Sequence, residues 1–185
     1  HFTDRRQRQM CIRDRSSTQM PTSTRSAVRA AVVLTVCLSL SGGVAWLGSS
    51  GGLVVAGVPL LVLCAGVAMA VQWLVYLPSA AVQSEKFFDL TGSLTYLSLL
   101  AFSLGMAATQ REITPRQLLV SAAVAVWAVR LGSFLFLRIQ RDGKDGRFDH
   151  LKVDPLRFLG VWTIQGLWVF FTAAVSYTHL RAHET

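Results

Sequence analysis

Two stretches carry most of the residue types that could do chemistry in an otherwise apolar chain. The first reads SEKFFDLTGSLTYLSLL from Ser84 to Leu100. Within it Glu85, Asp89, Gly92 and Tyr96 recur at i, i+4, i+7 and i+11, which places them on one helical face. A carboxylate at Asp89, about a turn inside an apolar run, is expensive in lipid and must face protein or water. The second stretch runs from Trp127 to Phe158 and puts Arg130 inside another apolar run. It leaves that run through Arg138 and Arg141 and crosses a dense polar loop of Asp142, Lys144, Asp145, Arg147, Asp149, His150, Lys152 and Asp154. Arginine forks bind phosphate oxygens in pairs, so this arginine-rich segment suits a phosphorylated ligand. The interleaved Asp142, Asp145 and Asp149 argue against a plain anionic-lipid patch, which would be almost purely basic.

Other chemistries find little support. DGKDG has part of the carboxylate spacing of a calcium loop but lacks the remaining ligands and the terminal Glu. The cysteines Cys11, Cys37 and Cys64 have no metal-ligand spacing, and the chain contains no GxGxxG, P-loop or HExxH string. A metal is therefore not expected. Arg130 lies about eight residues from the end of its run, too deep to escape by snorkelling. Its partner is either a carboxylate on the preceding helix, with Asp89 the candidate, or an anionic ligand.

Five apolar runs must position these groups: Ala27 to Leu47, Leu53 to Leu77, Phe87 to Ala108, Leu118 to Leu137 and Phe158 to Val175. Each is long enough to cross roughly 30 Å of hydrocarbon as a helix. The chain is 52% hydrophobic and only 15% charged, with a mean hydropathy of +0.44, whereas a soluble domain carries about 25% charged residues. The expected fold is all-α, a polytopic membrane helix bundle with about five transmembrane helices, surrounded by membrane lipid. A net charge of +8 could suggest nucleic acid, but 7 of the 18 Lys+Arg precede residue 30 and most of the rest flank apolar runs. That distribution is a topology signal, and no nucleic-acid partner is expected. Basic residues gather on one side, at Arg25, Arg29, Lys86, Arg138, Arg141, Lys144, Arg147, Lys152 and Arg157. Only Arg111 and Arg116 fall on the other, so the positive-inside rule places the N-terminus and the 138–157 loop in the cytoplasm. Pro59 is expected to kink the second helix, and Gln165 to make a hydrogen bond between helices.

Both ends differ from the body. RQRQMCIRDR near the start and SYTHLRAHET at the end resemble translated sequencing-adapter read-through. Residues 1–19 and 176–185 are therefore set apart, with 20–175 as the membrane domain and the natural chain expected to continue beyond Val175.

SEKFFDLTGSLTYL, followed at a distance by VWAVRLGSFLFLRIQRDGKDGRFDHLKVDPLRFLGVWTIQGLWVFF, resembles the bacterial DUF1295 family. That family belongs to the steroid 5-alpha-reductase-like membrane reductases, and isoprenylcysteine methyltransferases are more distant relatives. The likeness covers about residues 53–175. It implies a bacterial inner-membrane enzyme that takes NADPH from the cytoplasm and reduces a carbon–carbon double bond in a small hydrophobic, lipid-like enone (sterol, isoprenoid or fatty). On this resemblance Arg130, Arg138, Arg141, Asp145 and Arg147 match the cofactor-facing segment. Glu85, Asp89 and Tyr96 match the block lining the substrate cavity. There Tyr96, or a protonated Glu85 if burial raises its pKa, would donate a hydrogen bond to the enone oxygen and polarise the double bond. The family's histidine, Asn-Tyr and Gly-Glu cofactor motif has no counterpart in this sequence, so the chain as written is expected to be inactive. Two rivals remain at this stage: a membrane methyltransferase using S-adenosylmethionine, and a non-enzymatic membrane scaffold.

Overall fold

The computed structural model describes residues 22–110, 113–143 and 145–181, with side chains described between residues 24 and 174 apart from 111, 112, 144 and 147. Residues 1–19 and the last four of the 176–185 segment lie outside the described residues. Helix α1 spans Thr22–Leu47. A short hairpin, β1 (Val54–Val55) and β2 (Val58–Pro59), leads to α2 (Leu60–Ala81). Then come α3 (Phe88–Gln110), α4 (Pro115–Asp142), a 3-10 turn at Gly146–Phe148 and α5 (Pro155–Arg181). All five helices are long and apolar enough to cross a membrane, and together they form the expected all-α polytopic bundle.

The boundaries follow from local chemistry. Pro59 does not kink a helix. It stands before the first turn of α2, where its missing N–H costs nothing, and the residues before it form the hairpin. Ala56 and Gly57 both take positive φ (51° and 82°), the signature of a tight turn that the right-handed twist of a two-residue hairpin favours. Pro78 lies within the last turn of α2, which carries on to Ala81. Helix α4 begins at a reciprocal cap: the Gln117 N–H donates to Thr114 Oγ1 at 3.3 Å, and the Thr114 N–H donates to Gln117 Oε1 at 3.2 Å. It stops at Gly143, whose φ of 77° suits a residue without a Cβ. Helix α5 continues past Val175 to Arg181, into the stretch that the sequence reading set apart.

Helix α5 is the centre of the bundle, packing against α1, α2 and α3, while α4 leans chiefly on α3. Because apolar burial gives no advantage over lipid, the helices hold together by close approach and by polar contacts. A Cβ on Gly132 of α4 would fall 2.7 Å from both Cβ and Oγ of Ser93 on α3. One on Gly166 of α5 would meet Met69 Sδ at 3.0 Å and Gln72 Cγ at 3.3 Å on α2. The buried amide of Gln72 donates to Thr95 Oγ1 at 3.1 Å, and Trp73 Nε1 donates to Thr163 Oγ1 at 3.1 Å. Gln165 behaves as expected: it crosses from α5 over Gly92 and its Nε2 donates to the Phe88 carbonyl at 3.2 Å. Helices alternate in direction, so the 82–87 and 143–154 connections share one end of the bundle, called the loop end below. The hairpin lies at the other.

Since α4 depends on its contact with α3, a methyl at the notch should be costly. Gly132→Ala is expected to destabilise the folded protein in detergent by about 1–3 kcal/mol. Gly105→Ala, which meets open space, should leave the thermal midpoint unchanged or slightly raised. Equal midpoints for both variants would contradict this packing.

Candidate functional site

The polar residues named from the sequence separate into two places. The first is the loop end. Glu85 does not continue the α3 face, because α3 begins at Phe88 and Glu85 sits in the turn before it, its carbonyl accepting the Phe88 N–H. It is nonetheless only 5% exposed. Its Oε1 accepts the backbone N–H of Asp145 at 3.0 Å and its Oε2 pairs with Lys152 Nζ at 3.0 Å. Lys152 also reaches Asp149 at 3.3 Å, and Asp145 meets Arg138 at 3.8 Å. Phe148, in the 3-10 turn, is driven into an aromatic cluster with Phe88, Phe158 and Trp162. The polar 143–154 loop is therefore pinned by an acid from one connection and a phenyl ring from its own.

Burial pushes the Glu85 carboxyl up, but the Asp145 N–H and the Lys152 ammonium outweigh it, and the net effect is below the ordinary carboxylate range. The condition set for a proton-donating Glu85, a raised pKa, is not met. Lys152 is raised, first by its hydrogen bond to Glu85 and further by Asp149.

The second place is a cavity of about 180 Å³ between α2, α3, α4 and α5, in the half of the bundle nearer the hairpin. For scale, an apolar cavity of about 150 Å³ accommodates benzene. Its walls are mostly Leu, Val, Ala and Phe, with Tyr96 at one end and Gln117 and Ser121 toward the other. Tyr96 is 6% exposed, stands edge-on to Trp127 with ring centroids 5.2 Å apart, and hydrogen-bonds Thr172 Oγ1. The Thr172 hydroxyl donates back to its own helix, to the carbonyls of Trp168 (3.0 Å) or Val169 (3.1 Å). Whenever Thr172 donates to its own helix, Tyr96 is the donor in the pair, its proton directed at an oxygen on the cavity wall.

Eight residues of helix, about 12 Å, separate Tyr96 from the start of α3, so Tyr96 and Glu85 do not form one constellation. Asp89 lies in the first turn of α3, half-buried, on the loop-end side of Tyr96. Arg130 is exposed on α4 and makes no ion pair among the described residues, so of the two alternatives the pairing with Asp89 does not form. The arginine face does exist: Trp127, Arg130, Phe134, Arg138 and Arg141 are all exposed, opposite the buried Ala128, Gly132 and Ile139. Asp145 is tied to Arg138 and Glu85 at the foot of that face. The Arg147 side chain lies outside the described residues.

Sequence reasoning missed Thr172 and Ser121 because each is a lone hydroxyl in an apolar run. It missed the clamp role of Lys152 because a lysine in a charged loop carries no mark of its partner. No group of three or more His, Cys, Asp or Glu able to hold a metal occurs among the described residues.

The family model described as "Protein of unknown function (DUF1295)" matches residues 75–185. No curated protein and no solved structure matches the chain.

The clamp makes stability depend on pH. A carboxyl lowered by folding adds stability above its unfolded pKa and loses it as pH falls through the folded value; a raised ammonium loses its share as pH rises through its folded value. The clamp should thus contribute fully between about pH 4.3 and 10.4. Glu85→Gln should cost about 1–3 kcal/mol at neutral pH and flatten the acid limb of the denaturation profile. An acid limb as steep as in the parent would show that Glu85 is not the titrating anchor.

Proposed function

The chain belongs to the DUF1295 family, and from that premise and the geometry of the cavity we propose an integral membrane reductase that uses NADPH to saturate the carbon–carbon double bond of a lipid-like enone. The observation that carries the reading is Tyr96: a buried phenol in an apolar cavity, its proton already aimed at an oxygen. An enone carbonyl entering the cavity competes with Thr172 for that proton. Hydrogen-bonded to Tyr96, the carbonyl oxygen draws electron density from the double bond and exposes its far carbon to reduction. Apolar walls exclude water and strengthen this hydrogen bond.

The outer stripe of α4 supports the cofactor. It begins at Trp127, which lines the cavity, and ends at Arg141 at the loop end. The fourteen residues between them span about 21 Å of helix, an extended track from loop to cavity. Arg138 and Arg141 are exposed guanidiniums one turn apart, and their chemistry fits paired phosphate oxygens. They would hold the phosphates of the nucleotide, and Arg130 would meet further negative charge along the track. When bound, the nicotinamide supplies a hydride. The loop end faces the cytoplasm in this reading, as the surplus of Lys and Arg there requires. Glu85 and Asp145 act indirectly, by fixing the loop beside Arg138.

Two measurements test the reading, on a chain carried through the family's histidine, Asn-Tyr and Gly-Glu motif, without which the chain as written is expected to be inactive. Tyr96→Phe should lower the rate of enone-dependent nicotinamide oxidation about 10²- to 10³-fold. Charge reversal at Arg138 and Arg141 together should weaken NADPH binding by more than about tenfold, whereas a methyltransferase using S-adenosylmethionine would scarcely respond. NADPH affinity unchanged by the double reversal would sink the assignment of the stripe.

A further inference from the structure

The cavity holds a second polar feature, which the reduction does not use. Ser121 of α4 lines the cavity and is only 8% exposed. Its hydroxyl makes no hydrogen bond among the described residues. The other polar wall groups near it are engaged: Ser103 donates to the Leu100 carbonyl at 3.2 Å, and Gln117 is held in the cap of α4. A serine in the middle of a helix ordinarily returns its proton to a carbonyl of the preceding turn, or faces water. Ser121 returns no such bond to its helix, and its hydroxyl is open to a ligand at the cavity wall.

Its position relative to Tyr96 defines the ligand. Tyr96 stands against Trp127, six residues further along α4 than Ser121, or about 9 Å of helix. Side chains on a helix lean toward its N-terminus. On α4 that tilts Ser121 toward the hairpin end, and on α3, which runs the other way, it tilts Tyr96 toward the loop end. The two hydroxyl groups therefore diverge, and the wall between them is Leu99, Val120, Val124 and Cys64.

We propose that the cavity binds an elongated apolar molecule with an oxygen function at each end, one meeting Tyr96 and the other, roughly 9 Å away, meeting Ser121. This rests on the reductase reading only for the identity of the first oxygen as an enone carbonyl. Ser121 then sets specificity. It accepts the hydrogen of a distal hydroxyl, or donates to a distal carbonyl, and selects against hydrocarbon tails that leave it unpaired.

A pair of probes isolates the second contact: oct-3-en-2-one, and the same enone carrying a hydroxyl at the far end of its chain, 8-hydroxyoct-3-en-2-one. Affinities for the purified chain are read from tryptophan fluorescence, since Trp127 lines the cavity. The hydroxylated probe should bind about 3- to 10-fold more tightly than the plain one. Ser121→Ala should abolish that preference while leaving the affinity of the plain enone within about twofold. Ser121→Thr, which keeps the hydroxyl, should retain a preference and serves as the folding control. Equal affinity of the two probes for the parent protein overturns the proposal, as does a preference that survives Ser121→Ala or the failure of either probe to bind. If the preference is present and depends on Ser121 but neither probe is reduced with NADPH even by a chain carrying the family's cofactor motif, the two-ended site stands and the reductase reading falls.

Discussion

In a lipid solvent, apolar surface has nothing to gain by finding more apolar surface, so helices associate only where shape or a polar bond demands it. The fold rests on that constraint. Helix α5 satisfies it on three sides. Its Gly166 lets α2 close in over Met69 and Gln72, its Gln165 reaches across Gly92 to a carbonyl of α3, and at its Gly160 an added Cβ would just touch Val33 of α1. Helix α4 has no such share in α5. It is seated on α3, where Gly132 meets Ser93. The gap between α4 and the three-helix core is where the cavity lies, and the outward face of α4 is where the arginines lie.

Polarity is thus divided along the axis of the bundle. The loop end is ionic, with Glu85, Lys152, Asp149, Asp145 and Arg138 linked to one another. The cavity half carries hydroxyls and no described ion pair. In the proposed reduction an ionised acid beside the carbonyl would repel electron density gathering on its oxygen, whereas a phenol can donate to it; Tyr96 lies about 12 Å of helix away from the charged end.

Much of this was legible in the sequence. Five apolar runs gave five helices, and Gln165 and the arginine face of α4 lie where periodicity put them. What periodicity could not show was where a helix begins. Glu85 falls in register with Asp89 and Tyr96 on paper, but the turn that precedes Phe88 takes it off the helix and into the grip of a loop sixty residues later. Pro59 was misread for the same reason: a proline inside an apolar run looks like a kink until the hairpin before it is seen. The surroundings of Arg130 depend on which face α4 turns toward α3, where Ala128, Gly132 and Ile139 are buried and Gly132 meets Ser93. Hydroxyls such as Thr172 and Ser121 have no periodic signature, and only the walls of the cavity give them meaning.

The clamp at the loop end also bears on how the chain is made. Glu85 and Lys152 lie 67 residues apart, with all of α3 and α4 between them. During synthesis the acid emerges first and has no partner until two further crossings are complete and the next connection has folded back. Closing so long a loop is entropically slow to reward, and a chain in which only one of α3 and α4 crosses would leave the two charges on opposite faces of the membrane. The ion pair can form only where α3 and α4 cross together, so it registers the pairing of the third and fourth helices across one membrane.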